Sequence, residues 1–141
     1  ILKIYVYFRE PFLRVLDGDE IYYLDRDGVF LPKSLNLNQD LLLVNGECAQ
    51  GDLVLFELVD RIYSNEILNE LIGGIICNQK GEYILSSKIC DLNINIGSSS
   101  LLNNDKIDMI KLFYNFLSTY KDCNYCSTIN IIYDKQVICI K

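Results

Sequence analysis

Two short clusters carry reactive side chains, Cys123 and Cys126 in Cys-Asn-Tyr-Cys and Asp25 and Asp27 in Asp-Arg-Asp-Gly. A Cys-x-x-Cys pair can exchange disulfides or contribute to a zinc site, and two close carboxylates can hold a metal or work as acid and base. Each has a competing reading. A redox pair usually opens a helix, where the dipole lowers a thiol pKa; here the pair follows the C-terminal end of the most periodic helical stretch. A four-cysteine zinc site needs a second close pair, which Cys48, Cys77, Cys90 and Cys139 do not supply. Asp25 and Asp27 stand where a tight turn is expected, and aspartates there accept hydrogen bonds from nearby backbone N–H groups. Histidine is absent, which removes Ser-His and Cys-His nucleophile pairs and every imidazole metal site. No glycine-rich phosphate loop or nucleophile elbow is present. The reading is a protein without enzymatic activity, cofactor or metal, with a cysteine-dependent redox or metal protein as an alternative.

Composition bounds the rest. The 141 residues, half of them apolar, are one domain's worth of chain with enough apolar surface for a core. Nineteen Asp and Glu against thirteen Lys and Arg give a net charge of −6, which argues against nucleic acid and anionic lipid and leaves proteins as partners. No apolar run approaches the ~20 residues that span a bilayer. A chain opening in mid-pattern at Ile1-Leu2-Lys3-Ile4 reads as a soluble fragment of something longer. Six scattered cysteines in a domain of this size favour buried small hydrophobes over a disulfide frame.

Periodicity gives the strands and helices around these residues. Ile1 to Phe8, Phe12 to Leu16, Ile21 to Leu24, Val29 to Leu31 and Leu41 to Val44 read as strands, with a tight Asp25-Gly28 turn making residues 20–31 a hairpin. Lys33 to Gln39 reads as a loop. From Gly51 or Asp52, Leu53, Phe56, Val59 and Ile62-Tyr63 recur at helical steps, and Asn65 to Leu71 reads as a further helical turn ended by Gly73-Gly74. Strands resume at Ile75 to Asn78 and Glu82 to Ser86. Leu92, Ile94 and Ile96 alternate inward until Gly97 and three serines break the run. The strongest helix runs from about Asn104 to Tyr120, with Ile107, Ile110, Phe113-Tyr114 and Leu117 on its apolar face, and ends at Lys121-Asp122. The expected fold is α+β, a mainly antiparallel sheet with two helices on one face.

The chain closes on Ile129 to Tyr133 and Gln136 to Ile140, separated by Asp134-Lys135, which is hairpin spacing. A strand entered last tends to lie at a sheet edge, and an edge is either defended against pairing or used for it. Gln136 to Ile140 contain neither charge nor proline. This terminal edge is the candidate functional surface.

The order of pieces resembles the extracytoplasmic β domain of the FtsQ/DivIB cell-division family. Tyr23 to Gly28 with Phe30 and Pro32 resemble that family's "ylvD-dG-vf…P" hairpin, Ile96-Gly97 its Leu-Gly, and Tyr133 the tyrosine of its "DLRY" strand. The departures are Asn130-Ile131-Ile132 for Asp-Leu-Arg, Tyr83 for a common tryptophan, and no glycine in the last turn. The resemblance covers nearly the whole chain. It implies one β domain over residues 1–141, whose opening strand is either its own or the tail of a preceding POTRA domain. It also implies a membrane-anchored division scaffold, in the bacterial inner membrane at the septum, with this domain on the periplasmic side. Its partners would be FtsB-like and FtsL-like coiled-coil proteins, met by strand addition at Tyr133, Asp134, Lys135, Gln136, Val137, Ile138, Cys139 and Ile140. A POTRA-associated domain of another envelope assembly is a second alternative.

Overall fold

The computed structural model describes residues 1–6, 9–31, 40–45, 48, 53–98, 102–120, 123–133 and 135–141. Among these residues nine strands and three helices follow in order: β1 Leu13–Asp17, β2 Glu20–Leu24, β3 Phe30–Leu31, β4 Leu43–Asn45, α1 Leu53–Ser64, α2 Glu66–Leu71, β5 Ile72–Cys77, β6 Tyr83–Ser87, β7 Asn93–Gly97, α3 Asn104–Tyr120, β8 Thr128–Asn130 and β9 Ile138–Ile140. They form one sheet in the order β3-β2-β1-β4-β5-β6-β7-β8-β9. The expected mainly antiparallel sheet with two helices is corrected to a mixed sheet with three. β1 with β4, β4 with β5 and β7 with β8 run parallel, while the other neighbours are antiparallel. Tight turns return the chain antiparallel, whereas parallel neighbours need a longer crossover between them. Helices α1 and α2 connect β4 to β5, and α3 connects β7 to β8.

Register defines the core face. Tyr22, Val15, Val44, Ile75, Leu85, Ile94, Ile129 and Cys139 are successive cross-strand neighbours along one row. The six between Tyr22 and Cys139 are all fully buried. Against them pack Leu55, Leu58, Val59 and Ile62 of α1 and Ile107, Ile110, Tyr114 and Leu117 of α3. The α1 face is thus rotated from the expected one: Leu53 is exposed and Leu55 and Leu58 are buried. The Tyr63 hydroxyl accepts from the Leu42 N–H at 3.0 Å and donates to the Phe12 carbonyl at 2.6 Å, tying α1 to the segments that open β1 and β4.

Two further expectations change. Gly73-Gly74 do not end a helix; they lie inside β5, beside a bulge between Ile72 and Gly74. A Cβ on Gly74 would lie 2.7 Å from the Leu43 carbonyl oxygen, so the close approach of β4 and β5 requires glycine there. The opening run is not in the sheet: Ile1, Leu2, Ile4, Tyr5 and Val6 are exposed and pair with no strand among the described residues. The expectations placed on Tyr7-Phe8, Pro32, the 33–39 loop, Gly46, Gly51-Asp52, Ser99-Ser100, Lys121-Asp122 and Asp134 lie outside the described residues.

The cysteines are not buried thiols. They form three disulfides, Cys48–Cys77, Cys90–Cys123 and Cys126–Cys139. The partners of each bond are distant in sequence and brought together by the topology, which is why spacing alone did not reveal them. Cys123 and Cys126 belong to different bonds, so the Cys-x-x-Cys is a meeting point of two cross-links.

Asp25 behaves as its turn position predicts. Its Oδ1 accepts from the N–H groups of Asp27 at 2.9 Å and Val29 at 2.8 Å, and Arg9 Nη1 lies 2.5 Å from Oδ2. Gly28, with φ +79°, completes the turn. Burial pushes the Asp25 carboxyl up, but the Arg9, Val29 and Asp27 hydrogen bonds outweigh it and hold it below its ordinary value. Because the folded carboxyl titrates below its unfolded value, its stabilisation is complete above about pH 4 and is lost as pH falls through the folded value. Asp25→Asn keeps an oxygen acceptor but not the charge. It is expected to melt below the parent at neutral pH and to converge with it in acid; thermal melts at both pH values check this.

Candidate docking edge

Strand β9 is the last in the sheet order and pairs only with β8, among the described residues. The directions of its backbone groups follow from its neighbour. Asn93 N–H donates to Ser127 O and Ile131 N–H to Asn95 O, so the odd-numbered groups of β8 face β7 and the even-numbered ones face β9. In register with Thr128↔Ile140 and Asn130↔Ile138, the main-chain groups of Ile138 and Ile140 are spent on β8. Those of Cys139, and of Val137 and Lys141 on either side, point away from the sheet. Ile140 O also accepts from the Ser127 N–H at 2.9 Å.

The side chains sort by the same alternation. Cys139 lies on the core face, half-buried and bonded to Cys126, which is 3% exposed. Ile138 and Ile140 stand on the other face, 42% and 49% exposed, and have no charged neighbour in register. Two short strands joined by residues 131–137 replace the expected two-residue turn. In that connection Gln136 N–H reaches Tyr133 O at 3.4 Å, and Lys135 adopts φ +59°, a left-handed conformation that L residues other than Asn and Asp rarely take. It is a position suited to the glycine that is missing from this last turn.

Helix α3 flanks the edge. Met109, Leu112 and Phe113 line a cavity of about 470 Å³ together with Lys135 and Val137. Leu112 is 67% exposed. Phe116 stacks on Phe113 at 6.0 Å and meets the Tyr125 ring edge-on at 5.2 Å, and Lys141 Nζ lies 5.8 Å from the Tyr125 ring centre. Met109, Leu112, Phe116 and Tyr125 were not singled out in the sequence, although a signal was there for the first three. Met109, Leu112 and Phe116 recur at steps of three and four, a second apolar stripe beside the one the core uses.

The eight candidate residues therefore separate. Val137, Ile138, Cys139 and Ile140 form one ledge, with Lys135 beside the α3 cavity. Tyr133 is 62% exposed in the connection, Gln136 is exposed there, and Asp134 lies outside the described residues. An exposed strand edge bordered by apolar side chains on both faces can bind an extended peptide, taking main-chain hydrogen bonds for affinity and side chains for selectivity.

Elsewhere, no cluster of acidic or cysteine ligands suited to a metal occurs among the described residues. No helix among them is long and apolar enough to cross a membrane. A comparison with curated proteins finds no match to the chain. Residues 10–140 match the family described as FtsQ/DivIB, C-terminal related, and with nearly its whole length so matched the chain belongs to that family.

Proposed function

We propose that this chain is a non-enzymatic scaffold of bacterial division that receives an extended segment of an FtsB-like coiled-coil protein, alone or together with an FtsL-like one, along β9. The family it belongs to is a family of non-enzymatic cell-division proteins, which supports the division role. The observation that carries the binding mode is the outward main chain of Val137, Cys139 and Lys141, with Ile138 and Ile140 on one side of it and the Leu112 cavity on the other. Strand addition uses groups the fold leaves unpaired.

Three disulfides favour an oxidising compartment. This supports placing the domain on the periplasmic side of the inner membrane at the septum, with the complete protein anchored there. The exposed apolar residues Ile1, Leu2 and Ile4 fit the tail of a preceding POTRA domain. Calorimetric titration with the extracytoplasmic segments of the cognate FtsB-like and FtsL-like proteins tests the reading. Saturable binding is the expected result; no binding by the folded domain would move the search to another envelope assembly.

A further inference from the structure

We propose that the Cys126–Cys139 disulfide is the fastener that keeps β9 in the sheet, so that the terminal edge exists in the oxidised protein and is dismantled by a dithiol reductant. Its binding consequence rests on the docking role given to β9; the structural claim does not.

Apart from its ladder with β8 and the Ser127 N–H and Oγ bonds to the Ile140 carbonyl, little else holds β9. The strand has three residues, one neighbour and one side chain, Cys139, on the core face. Ile138 and Ile140 remain 42% and 49% exposed, so burial adds little. A short ribbon paired on one side is marginal in water. The connection does not favour closure either, since Lys135 occupies a left-handed conformation. Against this, Cys126 is buried just ahead of β8, with only Ser127 between, and its bond closes a loop between positions 13 apart. Such a link removes open conformations that the free strand would otherwise visit.

The other two disulfides have different loads. Cys77 ends β5, which is held by β4 and β6 on its two sides, and Cys90–Cys123 joins the β6–β7 connection to the segment after α3. Neither includes a residue of β9. The Cys126–Cys139 bond is therefore the cross-link whose loss acts on the edge directly.

The chemistry is a two-electron exchange. A thiolate of the dithiol attacks the half-buried Cys139 sulfur, the S–S bond breaks, and Cys126 leaves as a thiolate and takes a proton. The second thiol of the reductant then displaces Cys139 from the mixed disulfide. The protein ends with two thiols, and the reductant becomes a disulfide.

The test is amide hydrogen exchange on the oxidised domain, on Cys126→Ser/Cys139→Ser, and on Cys90→Ser/Cys123→Ser as the comparison. Ile138 and Ile140, whose N–H groups face β8, are expected to exchange at least about tenfold faster in the first variant, as local opening becomes easier. They should remain protected in the second, and β5 to β7 should be unchanged in the first. Unchanged protection at Ile138 and Ile140 would overturn the proposal, and so would simultaneous loss in β5 to β7, since the bond would then hold the whole domain. In titrations with the FtsB-like segment, binding by the parent but not by Cys126→Ser/Cys139→Ser supports the consequence for docking. Equal binding by both overturns it. If the parent itself does not bind, the docking role fails while the exchange result still decides the fastener.

Discussion

Val137→Pro is expected to weaken binding of the FtsB-like segment by roughly 30-fold or more, because leaving a partner carbonyl unpaired at a buried ladder costs about 2 kcal/mol. The melting temperature should stay close to that of the parent. The reason lies in the alternation of β9. Val137 precedes a residue whose main chain serves β8, so its own N–H points out of the sheet. Proline there removes a donor that only a partner would use. Ile138→Pro is the informative contrast. The register assigns the Ile138 N–H to Asn130. Its loss should release β9 from β8 as well as abolish binding, a difference that exchange at Ile140 would reveal. Equal, unimpaired binding by Val137→Pro would mean that the partner does not add a strand at this edge.

The second large effect is on stability. Gly74→Val is expected to destabilise the domain by about 3 kcal/mol, the upper range for forced overpacking, which for a domain of this size lowers the melting temperature by roughly 10 °C. A Cβ at this position would meet the Leu43 carbonyl oxygen at 2.7 Å. That oxygen belongs to the main chain of β4 in the middle of the sheet, so it cannot rotate aside like a side-chain tip. The relief available is separation of β4 from β5, and that would open the core row at Val44 and Ile75, both fully buried. Chemical or thermal unfolding measures the effect. A loss of less than about 0.5 kcal/mol, the ordinary scatter of surface substitutions, would mean that β4 and β5 are not packed this closely.

Local chemistry was legible in the sequence wherever a single element carried it. Helix α3 spans Asn104–Tyr120, as its long periodic pattern predicts, and of its expected face Ile107, Ile110, Tyr114 and Leu117 are buried while Phe113 is half-buried. Leu92, Ile94 and Ile96 point inward, and Asp25 caps the turn that Asp-Arg-Asp-Gly announces. What was not legible depends on how elements meet. Parallel pairing of β4 with β5 follows from the α1–α2 crossover lying between neighbours, and a period of two cannot distinguish neighbours. Gly73-Gly74 read as a helix stop because the requirement at Gly74 comes from Leu43, 31 positions earlier in the chain. The disulfides arise in the same way, from residues that only the topology makes adjacent. At the docking edge, the chain position of β9 was visible, whereas the direction of each N–H and the contribution of Leu112 and Phe116 required the register and the packing of α3.

The most direct test of the central claim is residue-resolved amide exchange of the oxidised domain, free and saturated with the FtsB-like segment. Ile138 and Ile140 are already committed to β8 and should change little. Val137, Cys139 and Lys141 should move from fast exchange to protection when the partner binds. Binding that leaves those three amides in fast exchange would contradict strand addition at β9 and place the partner on another surface.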